Sequence, residues 1–108
     1  MERPDLTQRL GIDIKTLRDF CAKWKIAEFS LFGSILGDNF TAASDVDILI
    51  SFQDEARWNL FDFVTMREDL IGLLGREVDL LERTAIERSR NYIRRDSILR
   101  SARVVYAA

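Results

Sequence analysis

Between Asp13 and Lys25 the apolar residues Ile14, Leu17, Phe20, Cys21 and Trp24 recur at helical spacing, so the segment predicts an amphipathic helix with Asp13 as its N-cap. The rhythm then shortens. Ala27-Glu28-Phe29-Ser30-Leu31-Phe32 alternates and stops at Gly33-Ser34, which predicts a strand entering a tight turn, with a short helical turn from Ser34. Gly37 to Ser44 is rich in turn formers, and Asp45-Val46-Asp47-Ile48-Leu49-Ile50-Ser51-Phe52 predicts a second strand. Leu60, Phe63, Val64, Leu70, Ile71 and Leu74 mark one side of a helix over residues 59–74, which Gly75 can end. Glu77-Val78-Asp79-Leu80-Leu81 predicts a third strand, Thr84 to Ala102 a helical tail, and Val104-Val105-Tyr106 a short apolar close. Strands alternating with helices predict an α/β domain around a small sheet.

With 108 residues, the chain has the size of one domain, residues 1–108. No apolar run approaches the roughly 20 residues that cross a bilayer, and Met1-Glu2-Arg3-Pro4-Asp5 lacks the basic-then-apolar order of a secretory signal. The expectation is a soluble, cytoplasmic protein without a membrane partner. The lone Cys21, among Leu17, Phe20 and Trp24, reads as a small core residue.

The absence of histidine narrows the chemistry more than any residue present. It removes Ser-His-Asp and Cys-His catalysis and most zinc sites. Carboxylates, hydroxyls and basic side chains remain, and carboxylate oxygens suit a hard ion such as magnesium. Charge is also unevenly placed: residues 1–82 carry 9 basic and 16 acidic side chains, whereas residues 83–108 carry 7 arginines against Glu87 and Asp96. A basic tail suits phosphate or an acidic partner, although Arg94, Arg95 and Arg100 equally suit a solvated helix face.

The informative string is Gly33-Ser34, ten residues, then Asp45-Val46-Asp47. Side chains alternate across a strand, so Asp45 and Asp47 project from one face. Like charges held that close repel, and a divalent cation shared with substrate phosphates resolves the conflict. Gly33 permits close backbone approach to a phosphate, and Ser34 adds a hydroxyl donor. In a chain of this composition the combined pattern arises by accident on the order of a few times in a thousand. Asp79, alone on its strand, would read as an exposed polar residue were it not for the upstream motif.

This pattern resembles that of the DNA polymerase β-type nucleotidyltransferases, above all their minimal nucleotidyltransferase branch, which includes the MntA-type antitoxins. Gly33, Ser34, Asp45 and Asp47 match the motif, and Asp79 stands where the third carboxylate is expected. The resemblance implies a nucleotidyltransferase fold, a small mixed β-sheet flanked by helices. It implies ATP bound at Gly33 and Ser34, with two magnesium ions held by Asp45, Asp47 and Asp79, which should converge on a common point. It further implies a HEPN-domain toxin as partner, joined in a hetero-oligomer and adenylylated on a tyrosine. Many relatives carry a basic residue shortly after Gly-Ser; here the positions are Ile35-Leu36-Gly37-Asp38. Arg76 or an arginine of the tail is left to supply the charge. If none does, the alternative is a catalytically weak or inactive nucleotidyltransferase-like subunit that regulates its HEPN partner by binding alone. A nucleic-acid ligand is disfavoured by the acidic total charge and the lack of aromatic platforms.

Overall fold

The computed structural model describes residues 6–108; Met1 to Asp5, whose order argued against a secretory signal, lie outside the described residues. A short helix α1 (Leu6–Leu10), which the periodicity does not announce, precedes α2 (Ile14–Lys23). Asp13 caps α2 by accepting from the Thr16 backbone N–H at 2.8 Å. The helix ends before the expected Lys25, because Lys25 itself takes the left-handed conformation, φ 54°, and turns the chain into β1 (Ile26–Phe32). A single 3-10 turn over Gly33–Leu36 follows. Then β2 (Val46–Phe52), α3 (Leu60–Leu74) and β3 (Val78–Glu82) complete a strand-helix-strand unit.

Helix α3 has well-defined ends. The Asn59 side chain accepts from the Asp62 N–H while the Asp62 carboxylate accepts from the Asn59 N–H, and Gly75 closes the helix at φ 70°. The expected helical tail is two helices, α4 (Arg83–Glu87) and α5 (Tyr92–Ser101), and the apolar close is a fourth strand, β4 (Arg103–Ala107). The sheet order is β3-β2-β1-β4, with β2 and β3 parallel and the other neighbours antiparallel. The sheet is therefore mixed and flanked by helices, as the resemblance implies.

The two faces of the sheet bury different sets. Val46, Ile48 and Ile50 of β2 pack in the main core with Leu17, Phe20 and Cys21 of α2 and Met66 and Leu70 of α3. Burial pushes the Cys21 thiol up to about 12, which makes it the inert core residue expected. On the opposite face Leu49 packs with Phe32, Ile86 and Ile98, so α4 and α5 cover that side. Strand alternation puts Asp45 and Asp47 on this second face. None of the described helices is long and apolar enough to cross a membrane.

Candidate active site

Asp47 sits at the second position of β2, with an acidic neighbour on one side and on the other the Gly33–Leu36 turn, the seat expected to take a phosphate. In the parallel register Asp47 pairs with Asp79, and in the antiparallel register with Phe32, the residue before Gly33. Gly33 has φ 74°, and a Cβ built on it would overlap the Asp47 carboxylate. Only glycine allows the turn to press this close. Ser34, next in the turn, is exposed. The turn is one 3-10 turn rather than the start of a longer helix, so it offers individual N–H groups and a hydroxyl, not a summed helix dipole.

Asp45 lies just ahead of β2, exposed, and Asp79 is exposed on β3. The carboxyl of Asp47 is held above the usual carboxylate range, first by burial and then by the negative charges of Asp79 and Asp45, with Arg94 pulling the other way. The three acids therefore share one end of the sheet and act on one another. They do not converge as expected: among the described residues no three acidic or cysteine side chains gather into a metal-holding cluster. None of the three carboxylates has an ion-pair or hydrogen-bond partner among the described residues. The donor set nevertheless suits magnesium, because it is all oxygen, at least partly exposed and crowded enough to favour a counter-charge.

Three arginines hold the segments that carry these groups. Arg9 of α1 donates to the carbonyls of Ile35 at 2.8 Å and Gly37 at 2.6 Å, which ties down the far end of the seat turn. Arg76 donates to the carbonyls of Thr41 and Ser44, both at 3.0 Å, and its guanidinium lies 4.5 Å from the centre of the Phe40 ring. The loop leading into Asp45 is thereby closed on itself, helped by the Thr41 N–H donating to Ser44 Oγ at 2.9 Å. Arg67 of α3 donates to the Val78 carbonyl at 2.9 Å and pairs with Glu77 at 3.0 Å, fixing the start of β3. Sequence reasoning offered Arg76 as a source of charge for the triphosphate; its guanidinium is instead directed at the loop. Arg9 gave no signal at all, being one basic residue in a polar stretch.

A family description, the nucleotidyltransferase domain, matches residues 14–104 of the chain. The protein adenylyltransferase MntA of Thermococcus cleftensis is 33% identical over 73 residues, which cover 68% of this chain and 69% of that protein. Among solved structures, a chain of a toxin-antitoxin complex with AMP-PNP matches at TM-score 0.67 and 15% identity, over 90% of this chain and 75% of that one. A chain of the Shewanella oneidensis complex of a tri-AMPylated HEPN toxin with an MNT antitoxin matches at TM-score 0.60 and 20% identity, over 95% and 73%. At such identities the two structures speak for the fold.

Proposed function

Because the chain belongs to the nucleotidyltransferase-domain family, we propose that Gly33, Ser34, Asp45, Asp47 and Asp79 transfer AMP from ATP to a tyrosine of a HEPN-domain toxin, silencing it. The observation that carries this reading is the contact of seat and acid: the Gly33 backbone lies against the Asp47 carboxylate with no room for a side chain between them. A phosphate on the turn is thereby next to the carboxylates that manage its charge. The names of relatives support the acceptor class, since one is a protein adenylyltransferase and another structure holds an AMPylated HEPN toxin.

In this reading the backbone N–H groups of the turn and the Ser34 hydroxyl bind the outer phosphates. Asp45, Asp47 and Asp79 would hold magnesium, two ions by family likeness, and when bound these would supply neutralisation of the triphosphate. The acceptor hydroxyl oxygen forms a bond to the α-phosphorus as the bond from that phosphorus to the pyrophosphate oxygen breaks. Pyrophosphate leaves with the electron pair, and the hydroxyl proton passes to a carboxylate, a role this reading gives to Asp79, which is exposed. Positioning and charge stabilisation carry the rate, for the protein supplies no covalent nucleophile.

One observation favours a second reading. The positions after Ser34 hold buried Ile35 and half-buried Leu36 in place of a basic residue, which suits a subunit that restrains its partner by contact alone. Incubation with magnesium, the HEPN partner and ATP labelled at either the α- or the γ-phosphate separates the two. Transfer predicts tyrosine-bound label from α-labelled ATP and none from γ-labelled ATP. Toxin silencing with neither label transferred would leave the contact-only subunit, and label from the γ-position would mean a different reaction.

A further inference from the structure

The arginines of the second half of the chain are unequal. Arg67 and Arg76 are directed at the backbone of β3 and of the loop before Asp45. Arg95 pairs with Asp96 at 3.2 Å and donates to the Ser89 carbonyl. The Arg94 guanidinium is exposed and has neither a hydrogen bond nor an ion pair among the described residues.

Its place follows from helix and strand geometry. Ile98 is buried with Phe32 and Leu49, and Arg94, four residues earlier in α5, lies on the same helix stripe. Phe32 is the cross-strand neighbour of Asp47, and Leu49 follows Asp47 by two residues on the same strand face. Helix α5 also hands the chain to β4 at Arg103, opposite Leu31, at the end of β1 that leads into Gly33. Helix α5 therefore lies along the site end of the sheet, and Arg94 lies on the stripe of α5 that faces it.

Resting on the nucleotidyl-transfer reading, we propose that Arg94 supplies from α5 the cation that the seat turn lacks, contacting the triphosphate of the nucleotide bound at Gly33-Ser34. The planar fork of an arginine suits two phosphate oxygens at once, and a guanidinium with no other partner can turn to meet them.

The test is calorimetric titration of the whole chain with ATP and with AMP, in magnesium, for wild type, Arg94→Ala and Arg94→Lys. Arg94→Ala should bind ATP about tenfold more weakly, as expected for the loss of a charge-assisted contact, with unchanged AMP affinity and unchanged melting temperature. Arg94→Lys should recover part of the ATP affinity. Wild-type ATP affinity in Arg94→Ala overturns the proposal, as does an equal loss for ATP and AMP, which would put the arginine away from the outer phosphates. If ATP binding then still vanishes in Asp45→Asn with Asp47→Asn, the nucleotide site survives without Arg94. A wild-type chain that binds no ATP overturns both.

Discussion

Gly33 and Gly75 share a left-handed backbone yet differ in what surrounds them, and this separates two reasons for needing glycine. At Gly75, φ 70°, a Cβ would meet nothing within 4 Å, whereas at Gly33, φ 74°, it would run into the Asp47 carboxylate. Either Gly→Ala change should cost roughly 1–2 kcal/mol in backbone strain, which at this chain length lowers the melting temperature by about 4–8 °C per kcal/mol. Only Gly33→Ala should also displace Asp47 and abolish measurable ATP binding. Thermal unfolding and ATP calorimetry on the two variants check this. Equal ATP affinity in Gly33→Ala and Gly75→Ala would mean that the close approach to Asp47 has no part in the site.

In the loop between seat and carboxylates, one distant side chain adds to the loop's own Thr41 and Ser44 hydrogen bonds. Arg76 joins the Thr41 and Ser44 carbonyls while covering Phe40, so Arg76→Met should keep the stacking bulk and lose both hydrogen bonds. Amide exchange over residues 38–45 should then quicken on the order of tenfold, and ATP affinity should fall, because Asp45 is delivered by that loop. Unchanged exchange there would show that the loop holds its shape without the arginine. Strands β1, β2 and β3 and helix α3 were legible because alternation or helical spacing marks them and Asn59 and Gly75 punctuate the helix. The break between α4 and α5 was not. Residues 84–102 contain no glycine or proline, and the helix is interrupted by side chains bonding to backbone: Ser89 Oγ accepts from the Asn91 N–H at 3.2 Å, and Asn91 accepts from the Arg94 N–H at 3.2 Å. With that start hidden, the direction in which Arg94 faces was hidden too. The closeness of the Gly33-Ser34 turn to Asp47 was readable from spacing, whereas the clamps of Arg9 and Arg76 join residues 26 to 35 positions apart and leave no local pattern.

Across the whole molecule, the mixed sheet gathers negative charge at one end, where the chain's own stability is opposed by the arrangement the proposed chemistry needs. Asp47 is half-buried beside two acids, so its ionised form is disfavoured in the folded state. For a carboxyl whose folded pKa is raised, the cost to stability is present at neutral pH and is relieved as pH falls through the folded value. Asp45→Asn with Asp47→Asn removes that cost and breaks no hydrogen bond or ion pair among the described residues. In chelator at pH 7 the double variant should therefore melt at the wild-type temperature or a few degrees above it, and the difference should shrink as pH is lowered toward about 4, the ordinary carboxylate range. Labelling of the HEPN partner in magnesium should be lost entirely. A pair kept for structure would give the reverse, a lower melting temperature with labelling retained. Thermal unfolding across pH, run beside transfer from α-labelled ATP, tests both arms on one preparation. Full labelling by the double variant would remove Asp45 and Asp47 from the reaction, and a melting temperature several degrees below wild type in chelator would mean that the pair stabilises the fold it is argued to strain.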